Sequence, residues 1–248
     1  MSLRRFKVEH LQGDVVAVTG GQAHHALHVL RLKRGDTVVL FDGRGHEAEG
    51  EVHVVARNVF TVRVLKRRTV EAAGGELSLA VAAPKGERAD WMVEKCAELG
   101  VSLLVPLLCT RTQVVPGDGR INRWRRKATE AAKQSQQSAV LNIETPMPIS
   151  QAVMSCAPGA MILYGEPHVE NKALLAALAE LSESQGLMIF IGPEGGFTDQ
   201  EIAALREAAG RPVRLAASIL RVETAAVTAA AVWAQWKIGR FDGARGPS

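Results

Sequence analysis

The hydrophobic and polar positions follow one pattern up to residue 72 and another from residue 77 onward. Within residues 36–66, short apolar runs alternate with polar positions around turns, which predicts strands at 37–41 and 59–65. Residues 22–30 before them have helical spacing, and Gly35 is predicted to end that helical segment. Short strands joined by tight turns favour a small β-barrel.

The second pattern consists of continuous apolar runs separated by segments with helical periodicity. Unbroken apolar runs are typical of strands that are buried on both faces of a mostly parallel sheet. The predicted strands are 77–83, 103–108, 161–164, 187–192 and 213–217, and the predicted helices are 88–99, 121–135, 170–184, 199–209 and 225–236. We therefore expect an α/β domain over residues 77–248, joined by a linker at 73–76 to a first domain over residues 1–72.

Composition is compatible with two modest domains, because 47% of the 248 residues are apolar and can fill two cores. The formal net charge is only +4. The positive side chains are nevertheless clustered at residues 4–7, 31–34, 66–68 and 123–127. Since a polyanion responds to local potential, this clustering indicates a nucleic-acid partner.

Cysteine usage points to a reducing compartment. Cys96, Cys109 and Cys156 are odd in number, and no Cys-x-x-Cys pair occurs, which argues against a disulfide framework and a zinc ribbon. No apolar run approaches the roughly 20 residues that a membrane-spanning helix needs. We expect a cytoplasmic protein that is not exported.

A glycine-rich turn over residues 192–196 is the most informative local feature. It follows a predicted strand, and Thr198 and Glu201 after it match a capping box that begins a helix. Such a turn brings backbone groups to the carboxyl edge of a sheet, where ligands of α/β proteins bind, although a tight turn needing only glycine flexibility has the same pattern. The absence of Gly-x-Gly-x-x-Gly and of a P-loop weakens the ordinary dinucleotide and nucleotide-hydrolase alternatives.

Two charged residues stand at the entrance of the last predicted helix. Arg221 and Glu223 lie in the loop 218–224, between a predicted strand and an alanine-rich segment. A carboxylate at this position could serve chemistry, or it could only complement the positive end of the helix dipole.

Three histidines, His24, His25 and His28, invite comparison with a metal site, since positions four apart share a helix face. No cysteine or carboxylate completes a convincing ligand set, so a place on the helix surface or in contact with RNA is favoured over a metal.

Two helices combine expected core positions with charge. Ile121, Trp124, Ala128 and Ala131 form one apolar stripe, and the positive charges of this segment lie elsewhere, which suits either RNA phosphates or a solvated basic face. Residues Trp91, Met92, Cys96 and Leu99 are predicted to pack in the core.

Four ordered motifs resemble the ribosomal RNA small subunit methyltransferase E family. The motifs are Pro84-Lys85-Gly86-x-Arg88, Glu94-Lys95-Cys96-Ala97-Glu98-Leu99-Gly100-Val101, Ile191-Gly192-Pro193-Glu194-Gly195-Gly196-Phe197-Thr198 and Ile219-Leu220-Arg221-Val222-Glu223-Thr224-Ala225. Together with residues 25–36, the similarity covers nearly the whole chain.

This resemblance implies a PUA-like β-barrel followed by a SPOUT α/β domain with a deep trefoil knot, usually in a homodimer with cofactor sites near the subunit interface. It also implies transfer of a methyl group from S-adenosylmethionine to N3 of a uridine in 16S ribosomal RNA, without a metal. The principal alternative is a non-catalytic RNA-binding or ribosome-assembly protein on the same scaffold.

Site residues follow from the same resemblance. Arg221 is the candidate catalytic cation or base-binding residue, and Glu223 the candidate that accepts a proton or orients Arg221. The expected cofactor-binding residues are Leu163, Tyr164, Gly192, Pro193, Glu194, Gly195, Gly196, Leu215, Ile219, Leu220 and Thr224, with ordinary strand packing as the alternative for Tyr164. The expected RNA-binding residues are Arg5, Arg31, Lys33, Arg34, Lys85, Arg88, Arg111, Arg123 and Arg126.

Two segments depart from the family pattern. Residues 215–218 are Leu-Ala-Ala-Ser where the family commonly has Leu-Gly-x-Arg, so one glycine and one cation are replaced. Residues 134–137 are Gln-Ser-Gln-Gln in place of Gln-Ser-Gly-Arg, which replaces a second glycine and an arginine expected to face RNA.

Overall fold

The computed structural model describes residues 3–70, 74–168 and 170–241. The chain forms two compact units: an N-terminal unit of residues 1–71 and 132–140, and a C-terminal unit of residues 72–131 and 141–248. None of the helices described is long and apolar enough to cross a membrane.

The N-terminal unit is built on one mixed sheet. Its strands, in the described part of the chain, are β1 (Arg4–Lys7), β2 (Val15–Val18), β3 (Thr37–Phe41), β4 (His46–Ala56) and β5 (Val59–Thr69). They lie in the order β1-β3-β4-β5-β2, with β1 parallel to β3 and the other neighbours antiparallel. Register shifts between β4 and β5 mark bulges, which increase the twist of the sheet. The predicted strand at 37–41 is confirmed, and the one at 59–65 extends to Thr69.

The predicted helix at 22–30 is two pieces. Helix α1 (Gly20–His24) continues into a π-helical turn (His25–Val29). Arg31, two residues after that turn, has φ 51°, and Gly35, which was predicted to end the helical segment, has φ 90° but lies further along the chain. From α1, the Gln22 side chain accepts from the backbone N–H of Lys7 at 2.9 Å and donates to its carbonyl at 2.6 Å. Since β1 is an edge strand, Gln22 satisfies backbone groups that would otherwise be open to pairing.

The segment 132–140 belongs to the N-terminal unit, although the sequence pattern placed it in the second domain. Ser138 is buried there and donates to the buried carboxylate of Glu47. Arg5 binds the same carboxylate at 2.8 Å and donates to the Ser138 hydroxyl at 3.0 Å. Gln136, which replaces a glycine of the family pattern, has φ 60°, a conformation that favours glycine.

The C-terminal unit contains a parallel sheet, as predicted. Its strands within the described ranges are β6 (Leu77–Ala82), β7 (Leu103–Leu108), β8 (Asn142–Ile143), β9 (Met147–Pro148), β10 (Met161–Gly165), β11 (Leu187–Ile191) and β12 (Arg211–Val213). The order is β12-β10-β11-β6-β7-β8, with β9 also paired to β7. Every strand pair in this sheet is parallel.

Helices alternate with these strands, which confirms the α/β class. They are α2 (Glu87–Glu98), α3 (Asp118–Gln134), α4 (Ile149–Met154), α5 (Leu174–Leu178), α6 (Asp199–Glu207) and α7 (Val222–Phe241). Residues of α4 and α6 share a core cluster with Tyr164 and Phe190. Helix α7 packs against α2, α5, β6 and β11.

Several element boundaries differ from the sequence prediction, among them those of α5, β12 and α6. Only residues 174–178 of the predicted helix 170–184 are helical, because the chain turns after Leu178. The last strand is Arg211–Val213 instead of 213–217, because its pairing partner β10 ends at Gly165. Helix α6 stops at Glu207, two residues before the predicted end at 209, and Ala209 takes a left-handed conformation, with φ 59°.

Candidate functional site

A cavity of about 300 Å³ lies at the carboxyl edge of three neighbouring parallel strands, β12, β10 and β11. The strands end at Val213, Gly165 and Ile191, and the loops that follow them form the walls. This is the edge at which ligands of open α/β sheets bind.

Eight predicted cofactor residues line the cavity: Gly192, Pro193, Glu194, Gly195, Gly196, Leu215, Ile219 and Leu220. The lining residues that the cofactor prediction omitted are Gly165, Glu166, Pro167, Ile191, Phe197, Ala216, Ser218, Val222 and Ala225. Glu166 had a signal in the sequence, since it is a charged residue directly after a buried strand. Ala216 stands where the family commonly has glycine. Its φ is not positive, so the alanine causes no backbone strain.

The glycine turn is shaped by close packing. A Cβ at Gly192 would lie 3.2 Å from the Phe197 ring, a tight contact, so a larger residue there would push the ring away from the end of β11. The N–H of Gly196 donates to the Pro193 carbonyl at 2.8 Å, and Gly196 has φ 71°. Close packing at Gly192 and the positive φ of Gly196 therefore both favour glycine in the turn.

Helix α6 begins with the predicted capping box. Glu201 accepts from the backbone N–H of Thr198 at 2.7 Å, and the Thr198 hydroxyl accepts from that of Glu201 at 3.3 Å. Burial alone would raise the pKa of Glu201, but hydrogen bonds from Thr198 and Thr110 hold it below its ordinary value. The carboxylate stays ionised and fixes the start of α6.

Arg111 supports the turn from a neighbouring loop. Its guanidinium donates to the Gly195 carbonyl at 2.5 Å, and its Cδ lies 3.1 Å from where a Cβ of Gly195 would stand. The adjacent Thr110 N–H donates to Glu201 at 2.7 Å. The loop after β7 is thus bonded both to the glycine turn and to the helix that follows it.

Three of the predicted cofactor residues do not line the cavity. Leu163 and Tyr164 are buried within β10, and the Tyr164 hydroxyl accepts from Arg206 at 3.3 Å. Thr224 is exposed on α7. Their placement supports strand packing for Tyr164.

Arg221 and Glu223 take different positions at the start of α7. Arg221 is exposed between two lining residues, Leu220 and Val222. Glu223 is only 5% exposed and contacts Arg88 at 3.5 Å, and its second oxygen, Oε2, is buried without a hydrogen-bond partner in the described chain. The expected orientation of Arg221 by Glu223 is not seen, since the carboxylate pairs with Arg88.

The predicted RNA-binding cations are not equally available. Arg5 does not fit that role, because its side chain is 6% exposed and engaged by Glu47. Arg123 pairs with Asp90 while remaining largely exposed. The other predicted cations with exposed side chains are Arg31, Lys33, Arg34, Lys85, Arg111 and Arg126, and of these Arg111 is engaged by the Gly195 carbonyl.

Helices α2 and α3 confirm most of the expected packing. Ile121, Trp124, Ala128 and Ala131 are buried as one stripe, and Met92 and Cys96 are buried as well. Burial raises the pKa of the Cys96 thiol to about 12, so it stays protonated and unreactive. Trp91, by contrast, is 45% exposed, and its assignment to the core is wrong.

The histidine-rich segment carries no recognisable ligand set. The rings of His24 and His28 lie with their centroids 4.5 Å apart and their planes tilted by 42°, and both residues are exposed. In the part of the chain that the structure describes, no group of three or more histidine, cysteine, aspartate or glutamate side chains could hold a metal ion.

Comparison with known proteins defines the class of the molecule. A family model for an RNA methyltransferase domain matches residues 71–234, and one for an RNA methyltransferase PUA domain matches residues 18–65. The chain is therefore an RNA methyltransferase by family, with a PUA domain in its N-terminal part.

Individual relatives narrow the assignment. The ribosomal RNA small subunit methyltransferase E of Synechocystis is 32% identical over 227 residues, covering 90% of this chain and 74% of that protein. The protein of the same name from Mycobacterium bovis is 31% identical over 226 residues, covering 88% and 85%. The chain belongs to the ribosomal RNA small subunit methyltransferase E family.

A solved structure shares the whole fold. The ribosomal RNA small subunit methyltransferase E of Neisseria gonorrhoeae, crystallised with S-adenosylmethionine, superposes with a TM-score of 0.82 at 25% identity. The match covers 94% of this chain and 98% of that one.

Proposed function

We propose that this protein transfers a methyl group from S-adenosylmethionine to N3 of a uridine in 16S ribosomal RNA of the small subunit. The observation that carries the proposal is the cavity at the carboxyl edge of β10, β11 and β12, with Arg221 between two of its lining residues. Family membership and the S-adenosylmethionine-bound Neisseria structure support the donor, and the resemblance of the motifs supports the N3 position.

The cavity suits the methyl donor in size and chemistry. Its volume of about 300 Å³ is at the lower end of small-molecule sites. The glycine turn 192–196 offers backbone groups that can hydrogen-bond the ligand, and Leu215, Ile219 and Leu220 offer apolar walls for an adenosine ring. These residues would hold the donor.

When bound, S-adenosylmethionine supplies a methyl group on a sulfonium, a good leaving group that requires no metal. The remaining task of the chain is to prepare the base. Uracil N3 becomes nucleophilic when its proton passes to solvent water, and the negative charge then spreads to the neighbouring carbonyl oxygens. We assign Arg221 the stabilisation of that charge, because it is an unpaired cation, among the residues described, beside the cavity.

We assign Glu223 a structural role, in which its negative charge complements the positive end of the α7 dipole. It does not line the cavity, and Arg88 is its ionic partner. A carboxylate in the first turn of a helix is stabilising, and the ion pair with α2 fixes that turn. Arg88 is accordingly proposed to position α7, while its exposed part remains available to RNA.

RNA binding is assigned to exposed cations in each unit. In the N-terminal unit these are Arg31, Lys33 and Arg34, and in the C-terminal unit Lys85, Arg123 and Arg126. Phosphate contacts of this kind position an RNA without specifying its sequence.

Several properties of the assembly are part of the proposal. We infer a PUA-like barrel in residues 1–72, a SPOUT domain with a trefoil knot in residues 77–248, and action in the cytoplasm as a homodimer. Helix α7 has apolar residues around its circumference, and Ile219 and Ile238 are exposed, which suits contact with a second copy. Light scattering of the purified protein tests the dimer.

Mass spectrometry of 16S ribosomal RNA tests the reaction, the atom and the substrate together. RNA from a strain that lacks the protein should gain one methyl group at a uridine N3 after treatment with purified protein and S-adenosylmethionine. If the donor neither binds in calorimetry nor supports methylation of small subunits, the protein is instead a non-catalytic RNA-binding or assembly protein.

A further inference from the structure

The charges on the cavity wall all have the same sign. Glu166 and Glu194 line it, and no lysine, arginine or histidine of the described chain does so. Ser218 lines the wall at the position where the family commonly has an arginine. The wall therefore carries two carboxylates, while the cations beside it, Arg111 and Arg221, do not line its surface.

Glu166 is held in place by its backbone. Its N–H donates to the Val213 carbonyl at 2.9 Å, and its own carbonyl accepts from the Asn171 side chain at 3.2 Å. The carboxylate is 25% exposed and faces one ionisable partner in the described chain, His168, at 3.3 Å. The His168 side chain is 78% exposed, so water screens this contact and it offsets little of the charge on Glu166.

Glu194 is also uncompensated. It lies within the turn that the Gly196–Pro193 hydrogen bond closes, and its side chain is exposed. It has no hydrogen bond or ion pair with another described residue that would neutralise it. Its negative charge is therefore directed to solvent and to whatever occupies the cavity.

The start of α6 does not reverse this potential. A helix N-terminus after a glycine-rich turn ordinarily attracts an anion such as phosphate. Here the capping box of Thr198 and Glu201 already satisfies N–H groups, and Asp199 adds a second carboxylate to the first turn. The N-terminus of α6, which could otherwise bind an anion, already carries the carboxylates of Asp199 and Glu201. The site therefore favours a cationic ligand.

We propose that Glu166 and Glu194 make the cavity select the positively charged sulfonium donor over its neutral thioether product. The inference rests on the proposed function, since it concerns the same site. S-Adenosylmethionine and S-adenosylhomocysteine differ by one methyl group and by one positive charge on sulfur. Carboxylates on the wall stabilise the charged ligand, and their attraction for the sulfur is lost when that charge is lost. The selectivity therefore favours exchange of product for fresh donor.

Calorimetry on the full chain tests this selectivity directly. The ligands are S-adenosylmethionine, S-adenosylhomocysteine and sinefungin, in which an amine-bearing carbon replaces the sulfonium and keeps a positive charge. The variants are Glu166→Gln, Glu194→Gln and their combination. Glu207→Gln is the matched control, because it removes an exposed carboxylate of the same unit that does not line the cavity.

In the double variant we expect affinity for both cationic ligands to fall by about tenfold, with affinity for the thioether nearly unchanged. In the unsubstituted protein, the preference for S-adenosylmethionine over S-adenosylhomocysteine should weaken as salt is added. Glu207→Gln should leave this preference unaltered. Equal losses for all three ligands would show a hydrogen-bonding role and overturn the inference. Failure of the unsubstituted protein to bind any of them would overturn the proposed function and this inference with it.

Discussion

Arg221 can be tested because its side chain is exposed and its removal leaves no buried partner behind. We expect Arg221→Ala to lower methyl transfer by at least 100-fold, a loss typical of removing a group that stabilises developing charge. Donor affinity measured by calorimetry and the thermal midpoint should stay close to those of the unsubstituted protein. Near-normal turnover would remove Arg221 from the mechanism.

Arg111 and Arg126 form a matched pair that separates support of the cavity from RNA binding. Arg111 holds the Gly195 carbonyl, whereas Arg126 is exposed on α3. Arg111→Ala should weaken donor binding by about tenfold, the equivalent of one charge-assisted hydrogen bond. Arg126→Ala should weaken RNA binding and leave the donor affinity unchanged. Loss of RNA affinity alone in Arg111→Ala would contradict the supporting role.

At the level of single residues, the sequence predicted those parts of the site that depend only on residues close together in the chain. The turn at Gly192 and Gly196 and the cap at Thr198 were predictable because each depends on backbone needs of neighbouring residues. The pairing of Glu223 with Arg88 was not, since 135 positions separate the two. The burial of Arg5 was hidden for the same reason.

The sequence predicted strands correctly where every residue of the strand is apolar and most are buried. It failed where a helix is only one or two turns long. Strand β7 was predicted residue for residue because it is an unbroken apolar run. Leu174, Ala177, Leu178 and Leu181 have helical spacing and are all buried, yet the chain leaves the helix after Leu178. Spacing alone does not distinguish one long helix from successive short turns that bury the same side chains.

Strand β4 carries a buried charge whose effect depends on pH. Burial alone would raise the pKa of Glu47, but hydrogen bonds from Ser138, Arg5 and Arg68 hold it below its ordinary value. A carboxyl with a lowered pKa contributes stability above its unfolded pKa of about 4.3, and that contribution is lost as the pH falls through the folded value. Glu47→Gln should lower the free energy of unfolding by about 3–5 kcal/mol at pH 7, because buried Arg5 loses its partner.

Urea denaturation at pH 7 and pH 4 measures this difference. The gap between the unsubstituted protein and Glu47→Gln should narrow at the lower pH. Glu49→Gln, which alters an exposed carboxylate of the same strand, is the control and should change stability little at either pH. A gap that stays constant between the two pH values would show that ionisation of Glu47 contributes nothing.

For the whole molecule, RNA affinity should depend on salt through cations that no carboxylate engages. Lys33 and Arg34 are exposed, and each phosphate contact that they make releases about 0.7–0.9 counterions. Replacing both with alanine should therefore reduce the slope of log affinity against log salt by about 1.4–1.8. Lys172 and Arg211 are the matched pair, because both bind Glu180. Their replacement should leave the slope unchanged, and equal slopes in all three proteins would exclude Lys33 and Arg34 from the RNA interface.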